Sequence, residues 1–162
     1  MSPYLVPLLA AAAAGVAAFT DLRARRIPNW LTFTTLAVGL GVHAATDGLS
    51  GCTWALSGVG LGLALLLPFY LLRAVGAGDV KLLGALGALV GPQSLLTVAV
   101  YGALVGGVMS VAALISRRRL LLTLSELLVQ RTLPTRSGAT APYGVAIASG
   151  VYLWLVLPAV VR

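Results

Sequence analysis

The chain has 162 residues, 59% hydrophobic and only 9% charged, with a mean hydropathy of +1.01. A soluble domain is nearer half apolar and a quarter charged, so too little polar surface remains to cover a water-soluble globule, and the composition points to an integral membrane protein. The formal net charge of +7 would suggest nucleic acid in a soluble chain, but the apolar stretches leave no basic aromatic surface for a backbone-tracking groove, so no nucleic-acid partner is expected. One Cys and one His exclude a disulfide framework and an all-protein zinc site, and no metal is expected.

A membrane-crossing helix needs about 17 to 25 mostly apolar residues. Six stretches come near this: Tyr4 to Thr20, Trp30 to Thr46, Trp54 to Leu72, Val75 to Val90, Leu95 to Ile115 and Tyr143 to Val161. The expected fold is all-α, a polytopic membrane bundle of six transmembrane helices forming a single domain over residues 1–162. Gly48, Gly51, the Gly76/Gly78 pair and Gly91-Pro92 punctuate the connections. The first stretch has its basic residues after the apolar run, not before it, so it reads as a retained helix and not a signal peptide.

The basic residues set the orientation. Arg23, Arg25 and Arg26 follow the first span, Arg73 and Lys81 flank the third connection, and Arg117, Arg118, Arg119, Arg131 and Arg136 follow the fifth span. Only Arg162 falls on the other side. By the positive-inside rule the crowded side is cytoplasmic and both termini are extracytoplasmic, which places the protein in the cell's inner (cytoplasmic) membrane.

Four acids remain: Asp21, Asp47, Asp79 and Glu126. Asp47 opens a DGLSG turn and reads as a turn residue. Glu126 lies among leucines interleaved with arginines, a pattern for an amphipathic helix on the inner leaflet, held there in part by attraction of the arginines to anionic lipid. Asp21 closes the first span and Asp79 opens the fourth, so two chain-distant carboxyls share one depth just inside the cytoplasmic boundary. Each alone could be a helix-end charge among headgroups, but ionisable groups there usually face a bundle interior or a watery cavity. Gly76 and Gly78 before Asp79 let the backbone leave helical geometry and let another chain approach closely. Non-helical backbone at this depth needs cover from protein or a water-filled cavity, which suits a site that binds extended peptide.

Two facing carboxyls can share a proton, one activating water as general base while the other protonates the substrate carbonyl. That is aspartic peptidase chemistry and needs no cofactor. Because Asp79 opens a helix beside Lys81 and Asp21 closes one, Asp79 is expected to act as base and Asp21 to hold the proton. The same pair could instead serve a small proton-coupled transporter, although transporters favour acids near the midplane and often show internal repeats, and none is visible here. A purely structural membrane subunit is the third class. Lys81 raises a Ser-Lys peptidase, but no serine is placed near it; the nearest cytoplasmic ones are Ser116, Ser125 and Ser137.

Three segments together resemble the type IV prepilin peptidases. FTDLRARRIPNWLT, residues 19 to 32, resembles their first aspartate motif; VGAGDVKLLGALGALVG, residues 75 to 91, resembles their GxGD motif; APYGVAIASG, residues 141 to 150, resembles the Pro-aromatic-Gly segment opening their last helix. The resemblance implies an intramembrane-type aspartic endopeptidase that cuts the leader from prepilin-like membrane proteins at the cytoplasmic face, typically after a glycine. It gives Asp21 and Asp79 the catalytic roles, makes Gly76 and Gly78 shape the loop bearing the second aspartate, and adds Lys81, Pro142 and Gly144 around the site. The long members carry an N-terminal cytoplasmic insertion with paired cysteines and also methylate the new N-terminus. This chain has neither that insertion nor those cysteines, so the resemblance is to the short, peptidase-only branch serving Flp-type (tad) pili or to related archaeal enzymes, and neither methylation nor S-adenosylmethionine is expected.

The other residues read plainly. Ile27, Pro28 and Asn29 look like a helix start, with proline tolerated in a first turn. His43 and Cys52 are expected to be packed and remote from the carboxyls. Gly87 to Gly91 and Gly102 to Gly106 have GxxxG spacing, which permits close packing within the bundle or association into a homo-oligomer.

Overall fold

The computed structural model describes residues 4–116 and 143–157, all of whose regular structure is helical. The elements are α1 (Leu5–Ala24), α2 (Asn29–Leu71), α3 (Ala77–Ser116) and α4 (Tyr143–Val156). Three of these, α1, α2 and α3, are long and apolar enough to cross a membrane. The segment with Arg117, Arg118, Arg119, Glu126, Arg131 and Arg136 lies outside the described residues, as do Pro142, Arg162 and the end of the sixth expected span.

The count differs from the six separate spans expected. The second and third expected spans run together as α2, and the fourth and fifth as α3. Each interruption is a single glycine: Gly48 (φ 59, ψ −132) in α2 and Gly91 (φ 75, ψ 173) in α3. Both lie in the positive-φ region that glycine enters without a Cβ penalty. At Gly48 the chain folds back, because Gly51 packs against the carbonyl of His43. Residues that far apart in a straight helix would be separated by about 12 Å at 1.5 Å per residue. Gly91 in turn packs against the indole of Trp54.

The two limbs of α2 flank the first limb of α3. Gly39, before the reversal, faces the Ala88 backbone; Gly58, after it, lies carbonyl to carbonyl with Gly87. Only glycine lets two backbones touch in this way, so the tightest crossing in the bundle is dictated by the Gly58–Gly87 pair. Every residue from Leu82 to Val90 is buried in consequence. A helix apolar all round belongs at a centre, and Leu82, Leu86, Leu89, Leu95, Val98 and Val151 make the innermost part of the core. The second limb of α3 packs on α4, which in turn covers α1, whereas α1 and α2 scarcely meet.

The small-residue face of α1 explains its partner. Ala10, Ala13, Ala14, Ala17 and Asp21 recur at helical spacing and are buried, and Tyr152 of α4 donates its O–H to the Ala11 carbonyl at 3.1 Å. The helix also outlasts its apolar run. Expected to close at Asp21, it continues through Leu22, Arg23 and Ala24, all good helix formers, and stops where Arg25 turns left-handed (φ 49, ψ 36). Asp21 therefore sits inside the last turn, with its carbonyl accepting the Arg25 N–H at 2.8 Å.

Candidate active site

Three helix ends converge at one end of the bundle: the last turn of α1 and the first turns of α3 and α4. Asp21 comes from the first. It is 7% exposed, the lowest value for any acid in the described residues. Its Oδ2 accepts the Gly144 N–H at 2.8 Å, a bond spanning 123 residues of chain, and the Val145 amide also points at the carboxyl. Asp21 thus caps the start of α4, where unpaired N–H groups need acceptors. Gly144 is required by this closeness, since a methyl group there would stand 2.8 Å from Oδ2 and 3.1 Å from the carboxyl carbon of Asp21.

Asp79 belongs to the GxGD turn. The Gly76 carbonyl accepts the N–H groups of Asp79 at 3.2 Å and Val80 at 3.4 Å, so Gly76 caps the N-terminus of α3. The Asp79 side chain reaches back, its Oδ2 accepting the Gly76 N–H at 3.0 Å, which is the carboxyl half of a capping box. The spacing of the motif follows from this: the glycine is the cap and the acid stands three residues on. Gly78, between them, packs under the α1–α2 connection, with a methyl there standing 3.2 Å from Ile27 Cβ and 3.7 Å from its backbone N and O.

The two carboxyls are near enough to interact electrostatically. Tyr143, the first residue of α4, also lies within electrostatic reach of Asp79. Its ring packs on Gly106 of α3. Sequence reasoning passed over this tyrosine; the signal was its place between Pro142 and Gly144. Lys81 does not serve Asp79 as expected. Its exposed side chain turns to α2, Nζ donating to Asn29 Oδ1 at 3.2 Å. This takes away the Lys81 part of the ground on which Asp79 was given the base role and Asp21 the acid role, and the Gly144 N–H adds a donor to Asp21, while Asp79 keeps its place in the first turn of α3 and Asp21 in the last turn of α1.

Of the predicted residues, then, Asp21, Asp79, Gly76, Gly78 and Gly144 come together, Lys81 stands beside them, and Pro142 lies outside the described residues. His43 and Cys52 are elsewhere. His43 Nε2 is 2.9 Å from the Leu89 carbonyl, and its ring tilts over Trp54 at 4.7 Å. Leu89 is about 15 Å along α3 from Asp79. A cleft of about 360 Å³ opens there, lined by His43, Asp47, Ser50, Gly51 and Trp54. Its polar groups already have local partners, Asp47 Oδ2 accepting from Thr46 and the Asp47 carbonyl from Ser50. Among the described residues no three His, Cys, Asp or Glu side chains gather as a metal site.

Residues 8–111 match the model of a protein family described as the type IV leader peptidase family. No curated protein and no solved structure gives a significant match.

Proposed function

The chain belongs to the type IV leader peptidase family, and on that premise we propose that it is a membrane aspartic endopeptidase that removes the leader from prepilin-like precursors. Membership makes it a peptidase and a membrane protein whose substrates are prepilin-like. The finer reading is that Asp21 and Asp79 form the acid–base pair. The observation that carries it is that two carboxyls far apart in the matched region, on α1 and α3, come within electrostatic reach of each other.

In this mechanism one carboxylate takes a proton from water as it attacks the scissile carbonyl, and the other, protonated, donates to the carbonyl oxygen. The tetrahedral intermediate then collapses, the nitrogen leaving with a proton returned by the pair. Each Asp has one oxygen committed to a backbone N–H, which fixes the side-chain rotamer and is the kind of preorganisation that acid–base chemistry rewards. The pair acts as a unit, so its protons belong to both.

The topology proposed with it has six crossings, α2 and α3 each reversing at Gly48 and Gly91, with both termini outside and the dyad at the cytoplasmic face of the inner membrane. The connection from α1 to α2 is short and the sequence holds a single cysteine, which fits the Flp (tad) branch and peptidase activity alone. No observation favours a proton-coupled transporter. The test is co-expression with a tagged Flp-type prepilin, scored by leader removal. Asn at either position keeps an oxygen to accept the Gly144 or Gly76 N–H but has no proton to exchange. Asp21→Asn and Asp79→Asn should therefore each abolish cleavage while the protein still inserts and folds. Normal cutting by either would end the two-aspartate reading.

A further inference from the structure

The connection from α1 to α2 is short and heavily constrained. It begins with Arg25 in left-handed geometry and ends with Pro28 (φ −70, ψ 141) at the start of α2, so only Arg26 and Ile27 lie between two fixed points. It is also almost the sole tie between these helices, which hardly touch along their lengths. Two contacts hold it to α3. Ile27 lies over Gly78, one residue before Asp79. Asn29 Oδ1 accepts from Lys81 Nζ at 3.2 Å, two residues after Asp79. The contacts therefore straddle the turn that carries one carboxyl, while the other carboxyl sits a single turn of α1 above Arg25.

We propose that Asn29 is a positioning residue: through Lys81 it clasps the α1–α2 connection to the first turn of α3 and so sets the separation of Asp21 from Asp79. On its other side Asp21 is held by the Gly144 N–H, so α4 and the clasp fix it from two directions. Asn29 and Lys81 are both exposed, and removing either side chain leaves the core intact. The consequence is confined to geometry. Small errors in the placement of reacting groups cost far more in turnover than in substrate affinity, so the clasp should act on kcat and leave KM nearly alone.

This inference rests on the peptidase reading, and the experiment separates the two. Purified Asn29→Ala protein should cleave a prepilin-like reporter with kcat lowered about tenfold and KM within about twofold of the unaltered chain. Asn29→Asp keeps an oxygen for Lys81 and should recover most of the loss. Asn29→Ala combined with Lys81→Ala should be no slower than the worse single variant, because one link is lost once. In parallel, nitroxide labels at Arg23→Cys and Ala77→Cys, in a Cys52→Ser background, report the gap between α1 and α3 without any turnover. Their dipolar broadening should weaken when Asn29→Ala is added. Unchanged broadening, or unchanged kcat in an active enzyme, overturns the clasp. Failure of the unaltered chain to cut any prepilin-like reporter would count against the peptidase reading, and the label measurement would then decide the clasp alone.

Discussion

Gly144→Ala offers the sharpest test of how the candidate site is built. The added methyl would stand 2.8 Å from Asp21 Oδ2 and 3.1 Å from its Cβ and Cγ, where an ordinary contact begins near 3.4 Å. The carboxyl must retreat by about 0.6 Å, or α4 must move by as much, because neither α1 nor α4 has slack on this buried face. Overpacking of this size costs about 1–3 kcal/mol of stability. Its effect on chemistry is larger in proportion. A misplacement near 1 Å costs on the order of a hundredfold in rate, so a shift of this size should cost roughly tenfold in kcat, with substrate binding little changed.

The assay is leader cleavage by purified protein in detergent or nanodiscs, with a thermal melt alongside. Gly60→Ala is the matched control: nothing lies within 4 Å of its added methyl, and alanine in an exposed helix interior is favoured over glycine by about 0.5–1 kcal/mol. It should cleave normally and melt no lower than the parent. If Gly144→Ala cleaved within twofold of the parent, Asp21 would not depend on the start of α4 for its position, and the reasoning from that hydrogen bond would fail.

Other substitutions probe the scaffold. Gly58→Val forces apart the backbones that meet at Gly87 and should cost more than about 3 kcal/mol, seen as loss of folded protein after mild heating. His43→Phe keeps a ring on Trp54 but gives up the Leu89 partner; it should lower stability by about 1 kcal/mol and leave the cleavage rate unchanged, since the site is at the other end of the first limb of α3. Tyr152→Phe loses the bond to the Ala11 carbonyl and should loosen α1 against α4 by about 0.5–1.5 kcal/mol in a denaturation assay.

The helical fold was legible because apolar runs of this length leave few alternatives, and the acid pair because carboxylates are so rare in the chain that their placement stands out. The reversal at Gly48 followed from DGLSG, whose Ser50 indeed donates to the Asp47 carbonyl at 2.6 Å. What stayed hidden is what depends on packing. Nothing in KLLGALGALVG distinguishes a lipid-facing helix from a central one, because both are apolar all round; its burial follows from α2 folding over it on two sides. The end of α1 was misplaced because hydropathy falls at Asp21 while helix propensity does not. Asn29 looked like part of a plain helix start, and only the docking of α2 against α3 gives it Lys81 as a partner.

That both aspartates cap helices raises a rival explanation, namely that capping is all they do. Their chemistry decides against treating the two roles as exclusive. A cap asks only for an acceptor, and Asn, Ser or Thr supplies one without placing an ionisable group in an apolar setting. Asp21 is nonetheless an acid, buried and within electrostatic reach of a second acid, in a chain with four acids in all. Burying a carboxyl beside another carries a cost that capping alone does not offset. The caps hold the side chains still, and the proton exchange proposed for the pair is a role that an acid fills and an amide does not. Asp→Asn variants isolate that difference, since they preserve the cap and remove the proton.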